Sequence, residues 1–361
     1  MSTVEPWRDD VQGVLFIGDP HLASRNPGFR RDDYPRVLLD KLRWCLGEAR
    51  EQGLLAVLLG DLFHWPRENA NWLLVALMDL LAAQPVLAIP GNHDCHEDEL
   101  TEHDSLMVLA RAGRLTLIDR DGPWLGAVRG HPLVLGGTAW GQPLPEEVAP
   151  PLYTPAPERE STVVWITHHD VVFSGPEIPR YVIPRSIPGV DLVVNGHIHC
   201  REPVLVRGET TWLNPGNIAR VSRDEVIRAH RPAALRLDLD GPRRWRTTFI
   251  EVPHQPFEEV FYDEVLAAAE AEPDDGSPFV RGLKELAARR TDSGAGLVYF
   301  LEKNLPGVAP PVAAAIRGLA LEVLPDEHPW NRRAAGHSDA QAPLRGAEQE
   351  EDPGRDGEGH Q

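Results

Sequence analysis

A chain of 361 residues, 42% of them hydrophobic, has enough apolar material for one large domain and a smaller appendage. Its three cysteines suggest no disulfide framework and fit a reducing cytoplasm. No apolar run approaches the ~20 residues of a membrane span, and the start has neither the basic region nor the apolar segment of a signal peptide. The formal net charge is −19, and residues 331–361 hold only seven acids against four bases, so the acidity lies mostly in the body of the chain and argues against autonomous gripping of long duplex DNA.

The first half alternates strand and helix. Val14 to Ile17 is a short apolar run that reads as a strand, and Tyr34 to Glu51 places Val37, Leu38, Leu42, Cys45, Leu46 and Ala49 at helical spacing. Leu54 to Leu59 reads as the next strand. A helix follows, capped by Asn69 or Asn71 and ending near Gln84-Pro85, and then a strand from Val86 to Ile89. After about residue 130 short strands and turns take over: Leu133–Leu135, Val163–Ile166, Leu192–Val194, Val204–Val206, Thr210–Leu213, Ala234–Leu239 and Thr247–Val252. Such a chain should make two packed mixed sheets flanked by helices. Gln142 to Glu158 is rich in Pro and Glu and reads as a surface loop, and the prolines between Ser174 and Pro188 predict a stiff rim. Beyond Val252, the segments Phe257–Ala271, Phe279–Arg289 and Pro311–Val323 read as helices. From about Trp330 the composition predicts disorder. The expected division is a main domain over 1–253, a helical appendage over 254–329 and a tail over 330–361.

Five of the expected strands end in metal-ligand residue types. These are Asp19-Pro20-His21, Gly60-Asp61-Leu62-Phe63-His64, Gly91-Asn92-His93-Asp94, His168-His169 and Gly196-His197-Ile198-His199. In α/β folds sites gather at the carboxyl ends of strands. Residues i and i+2 of an extended segment point the same way, so Asp19 with His21, and His197 with His199, can each reach one small volume. Glycine directly before three of the motifs permits tight strand-to-loop turns. Carboxylate, imidazole and amide donors without thiolate suit Mn, Fe or Zn better than a Cys-rich structural zinc site. The set is too large for one tetrahedral ion but fits two ions sharing a carboxylate, which lie about 3.5–4 Å apart in such sites.

The series D-x-H, G-D, G-N-H-D, H and G-H-x-H, in this order over residues 13–252, resembles the calcineurin-like metallophosphoesterase superfamily. The resemblance implies a four-layer αββα sandwich of two mixed sheets with a small C-terminal helical appendage. It implies one divalent ion on Asp19, His21, Asp61 and His199, and another on Asp61, Asn92, His168 and His197. His93 would stand beside the scissile phosphate as proton donor or charge stabiliser. Manganese is the expected metal, with Fe, Zn or Mg as alternatives.

Gly60-Asp61-Leu62-Phe63-His64 followed by Arg67 is similar to the SbcD-like DNA nuclease branch, where a histidine three residues after the bridging Asp helps position phosphate; His64 fills that place. The protein-phosphatase branch instead continues Asp-Arg-Gly and carries Gly-Asn-His-Glu. The branch implies a DNA exonuclease or endonuclease in DNA repair, DNA as substrate and an SbcC-like ATPase as partner, and it leaves room for a homodimer. A small-molecule phosphodiesterase or phosphomonoesterase of the same superfamily is the alternative, and the acidic charge favours it. Arg25, Arg30, Arg31 and Arg67 lie on loops expected to rim the cleft, with Arg25, Arg67 and His169 as candidate substrate contacts. Between His168 and His169, the residue directly after the strand is the expected ligand. Asp94 either orients His93 or serves as a turn residue. Cys95 and Cys200 directly follow two of the motifs, and His96, His103 and His131 have no motif partner.

Overall fold

The structure is a computed structural model that describes residues 10–26, 30–97, 99–149, 161–174, 181–222 and 225–261. The chain divides into two units, residues 1–271 and 272–361, and every described residue lies in the first. The expected helices Phe279–Arg289 and Pro311–Val323 and the tail lie outside the described residues.

One sheet of six strands runs β13(Arg244–Glu251), β12(Ala233–Gly241), β2(Gly13–Ile17), β3(Leu54–Leu58), β4(Val86–Ala88), β5(Thr116–Leu117). We call it sheet B. Its β2, β3, β4 and β5 are parallel, and β12 and β13 are antiparallel additions. Sheet A has seven strands in the order β1(Asp10–Val11), β6(Trp124–Val128), β7(His131–Thr138), β8(Thr162–Thr167), β9(Leu192–Asn195), β11(Thr210–Leu213), β10(Leu205–Arg207). Its core from β7 to β11 is parallel. Both sheets are therefore mixed, as the sequence pattern predicts.

Alternation along the strands builds the layers. Leu15, Ile17, Ala56 and Leu58 face helices α1(Tyr34–Glu51), α2(Asn71–Leu81) and α3(Ser105–Arg111). Val14, Phe16, Leu55 and Val57 point the other way, into a second core shared with Leu133, Leu135, Val164, Ile166, Leu192 and Val194 of sheet A. Among the described residues the outer face of sheet A, with Val134, Val193 and Trp212, is covered by irregular segments carrying Val148, Val171, Phe173 and Ile187.

Helix α1 occupies its expected span. Asp33 caps it, its side chain accepting from the Arg36 amide, and Gly53 beyond its end takes a left-handed φ of 65° that turns the chain into β3. Helix α2 departs from expectation. Ala70 holds its cap position without a side-chain bond, and Asn69 instead donates to the Trp65 carbonyl and the Ser105 hydroxyl. That tertiary use outcompetes the local cap.

The expected helix from Phe257 is helical only to Val260, as α5, after α4(Glu225–Ala229). Phe261 is extended and bridges to Arg30. Packing explains the early stop: Phe257, Val260 and Phe261 bury against Ile227, and Arg30 lies over the Phe261 ring at 5.1 Å. Residues 262–271 lie outside the described residues.

Candidate metal centre

The motif loops meet where β2, β3 and β4 of sheet B and β8 and β9 of sheet A end. On the sheet B side two loops are zipped together by main-chain bonds. The His21 amide donates to the Asp61 carbonyl at 2.9 Å, Leu22 to Leu62 at 2.8 Å, and His64 to Leu22 at 2.8 Å. Asp94 adds the third loop. Its buried carboxylate accepts from the amides of Gly91, Leu62 and Phe63. Of the two roles open to Asp94, the structure gives it loop fixing, and His93 is oriented by the His64 carbonyl, 2.9 Å from its Nδ1.

On the sheet A side a main-chain bond from Gly196 to the Thr167 carbonyl is joined by several side-chain ties. Asn195 Oδ1 accepts from the Thr167 hydroxyl and the His169 amide, and its Nδ2 donates to the His169 carbonyl and to Asn214. Asn214 in turn donates to the carbonyls of Ile198 and Cys200. This buried network fixes the loops carrying His168, His197 and His199.

Six non-glycine described residues have positive φ, and four of them are Asp19, His21, Asp61 and His197. Left-handed backbone costs such residues on the order of 1–3 kcal/mol each, so strain is concentrated in the motifs. Two glycines show why the loops can close. A Cβ on Gly91 would fall inside the Asp61 side chain, and one on Gly60 would strike the His168 ring.

Two ligand groups result. Asp19, His21, Asp61 and His199 each offer an atom within 4.8 Å of the others, and so do Asp61, His168 and His197. Asp61 belongs to both. Its Oδ1 accepts the His93 amide at 2.8 Å, while Oδ2 lies 3.7 Å from His21 Nε2 and 3.2 Å from His168 Nε2. Asn92 Oδ1 stands 3.0 Å from His197 Nδ1. A further grouping of His21, His64 and His93 lies within the same 4.8 Å.

The donor set fits cations. Both oxygens of Asp19, Asp61 Oδ2 and His168 Nε2 are buried without a hydrogen-bond partner. Groups so placed are costly unless something positive sits among them. Ring nitrogens and carboxylates also crowd together. His168 Nδ1 donates to the Leu59 carbonyl at 2.6 Å, which leaves Nε2 as the atom turned to the Asp61 carboxylate. His21 Nε2 and His199 Nε2 are 2.9 Å apart.

Electrostatics divide the ligand set. Burial pushes Asp19 up to about 8, with Asp61 beside it adding to the rise and His168 opposing it. Burial would lower His168, but the Asp61 and Asp19 carboxylates outweigh it and lift that imidazole to about 10. Burial depresses His21 well below the usual range and His199 to about 4. The lowered His21 and His199 are in the neutral form that binds metal, whereas the raised Asp19 and His168 hold protons that a bound cation would displace.

His64 and His93 stack at 5.4 Å and 26°, and both rings lie against His21. Burial and His93 lower His64 to about 4. Of the other candidates, His169 turns its Nε2 to the Gln142 carbonyl at 2.8 Å, away from the ligand groups, whereas His168 lies within one. Arg25 pairs with Glu68 and lies over the Trp65 ring at 4.5 Å. Arg67 is held by buried Asp104 at 2.9 Å. Arg30 is no rim residue: it is buried and donates to the Arg220 carbonyl. Cys95 packs in the core on the helix side. The sequence reading passed over Asp170, bonded to His197, and Trp140, whose ring lies 4.8 Å from the His197 ring.

A model of the calcineurin-like phosphoesterase family matches residues 13–201, more than half of the chain. The chain belongs to this family. No curated protein matches it. Among solved structures, a hypothetical protein from Thermus thermophilus is 14% identical, with a TM-score of 0.38 over 67% of this chain and 100% of that one. A conserved uncharacterized protein from Streptococcus pneumoniae, described as a predicted phosphoesterase, is 12% identical, with a TM-score of 0.28 over 71% and 95%. The calcineurin-like phosphoesterase is a metal-dependent hydrolase of phosphoester bonds, and its Asp and His groups are where this chain would hold metal. Among the described residues no helix is long and apolar enough to cross a membrane.

Proposed function

We propose that this phosphoesterase is a two-metal phosphodiesterase acting on DNA, an SbcD-like nuclease. The observation that supports this reading is His64. It reaches the ligand cluster, stacks on His93 and continues outward through Trp65, whose ring centroid is 4.4 Å away, to the Arg25 guanidinium. Arg25 also lines an open pocket of about 410 Å³ with the exposed Trp72 and with Arg36, which pairs with Asp33 of the same wall. Cations and aromatic faces in sequence suit a nucleic-acid strand.

Asp19, His21, Asp61 and His199 would hold one ion, and Asp61, Asn92, His168 and His197 the other, with manganese preferred. Bound divalent ions supply Lewis acidity and a water of lowered pKa. The chain supplies the rest. Asp61 Oδ1 accepts the His93 amide, which fixes the carboxylate that would be shared between the two ions. His93 Nδ1 donates to the His64 carbonyl, so Nε2 is the nitrogen that, once protonated, would give a proton to, or hold, a phosphoryl oxygen.

The charge of −19 supports a second reading, a small-molecule phosphodiesterase. It also fits a nuclease whose DNA grip comes from a partner, for which an SbcC-like ATPase docking on residues 257–325 is our proposal. Loss of co-purification on truncation near Val252 tests that. The substrate test uses metal-stripped protein reloaded with Mn²⁺ on linear duplex DNA, single-stranded DNA and bis-p-nitrophenyl phosphate, with a chelator control. His64→Ala should lower DNA cleavage more than hydrolysis of the activated diester, which demands less positioning. Equal losses on both, or activity on the small diester alone, sink the nuclease reading.

A further inference from the structure

Asp170 follows His168-His169 directly and is the one described carboxylate outside the ligand groups that meets a ligand histidine. Its Oδ1 is 2.9 Å from His197 Nε2. A carboxylate accepts only, so His197 Nε2 carries the hydrogen. The opposite nitrogen, Nδ1, stands 3.0 Å from Asn92 Oδ1, itself an acceptor. In the neutral ring these are two acceptors, which repel at that distance unless a cation lies by both. The neutral ring is thus gripped at one end by a carboxylate and turns its lone pair to Asn92 at the other.

Asp170 is itself anchored. Its carbonyl accepts the Val182 amide at 2.7 Å, Val171 bridges to Val182, and the preceding residue, His169, is bonded at both amide and carbonyl by Asn195. Trp140 lies against the His197 ring, tilted by 36°. His197 also has a left-handed φ of 70°, so its backbone does not favour the site on its own.

We propose that Asp170 is a positioning residue that selects the Nε2–H tautomer of His197 and thereby leaves Nδ1 free, with Asn92, for the second ion. This rests on the two-metal reading above. His168, by contrast, has its Nδ1 on a neutral carbonyl, so the two rings are held differently in kind. A charged partner raises ligand basicity as well as fixing orientation. Asp170 is 34% exposed and His197 21%, so the pair stands at the water-facing side of the site.

The test compares full-length wild type, Asp170→Ala and Asp170→Glu. The ring nitrogens of His197 are assigned by ¹⁵N spectroscopy in metal-free and Zn²⁺-loaded protein, and Zn²⁺ binding is titrated by calorimetry. The wild type should show the Nε2–H form before metal is added. Asp170→Ala should mix the tautomers and weaken the second zinc ion by ~10–100-fold while the first is unchanged. Asp170→Glu should recover part of the loss. Unchanged tautomer in Asp170→Ala overturns the proposal, even if zinc is lost, since that result makes Asp170 a ligand. An equal fall in both zinc affinities overturns it too, making Asp170 mere scaffold. Failure of the wild type to bind a second zinc ion sinks the two-metal reading instead, and the metal-free spectra still decide the tautomer.

Discussion

On the sheet B side of the site, the loops bearing Asp19, His21, Asp61 and His64 are joined by main-chain bonds from His21, Leu22 and His64. On the sheet A side, the loops bearing His168, His197 and His199 are joined by the side chains of Asn195, Asn214 and Asp170. A main-chain ladder survives most side-chain substitutions, so the first half should tolerate loss of a ligand without losing its shape. A side-chain network does not, because each missing member strands buried partners. The two halves should therefore fail differently. Only Asp61 belongs to both ligand groups.

Asp61→Asn is the largest break expected. It removes the charge that faces both His21 and His168, and turnover should vanish together with paired metal binding. Metal analysis beside an activity assay checks this. One ion retained at full affinity with normal turnover would show that the halves do not share Asp61. His93→Ala comes next. Its ring meets His21 and stacks on His64, but its amide, which holds Asp61, survives the change. Both ions should stay while the rate falls by ~10²–10⁴, the usual span of acid–base assistance. Loss of an ion would instead make the grouping of His21, His64 and His93 a real coordination site.

Asn195→Ala probes the sheet A half without touching a ligand. It frees the buried amide and carbonyl of His169 and the Thr167 hydroxyl, so stability should fall by ~2–3 kcal/mol, read as a Tm several degrees lower. Metal affinity should fall with it, chiefly through His168 and His197. A full loss of stability with unchanged metal affinity would mean that the network holds the fold but not the site.

The sheet B half was the more legible from sequence, for a physical reason. The ligands of both halves follow apolar strands directly, but the zipper between Leu22 and Leu62 needs no special side chain. Strands such as Leu54–Leu58, buried on both faces, announce themselves as unbroken apolar runs. Helix α1 was equally plain, because cap, apolar spacing and terminal glycine agree. The hairpin β6–β7 was only partly visible. Gly126, Gly136 and Gly137 break its apolar pattern, and the first two lie under the rings of Trp124 and Trp165. Asp170 and Asn195 were hidden for the opposite reason. Each acts on a residue at least 19 positions away, Asp170 on His197 and Asn195 on Asn214, and no local spacing encodes that. Asp94 was visible as a motif residue, but its bonds to Leu62 and Phe63 required the folded loops.

The smallest expected effect on catalysis lies where the halves are clamped from behind. Residue 218, in the segment following β11, donates its amide to the Gly18 carbonyl and accepts from Lys41 Nζ of α1 at 3.0 Å. Burial, and then the nearby cations Arg30 and Arg220, lower Lys41 to about 7, against Asp32, which favours its charge. The folded value thus lies below the ordinary 10.5. Between those two values the unfolded chain holds a proton that the native state has released, so this group makes stability rise with pH across that window. Below about pH 7 its cost is constant, and near 10.5 it is gone. Lys41→Met removes the titration together with one hydrogen bond. The variant should gain most on the wild type at or below pH 7 and lose that advantage steadily toward pH 10, with catalysis unaltered. Denaturant melts of both proteins at pH 6, 7, 8, 9 and 10 measure the difference directly. A difference that stays flat across the series would mean that Lys41 keeps its proton in the fold, and that the clamp behind the site is a charged contact rather than a neutral one.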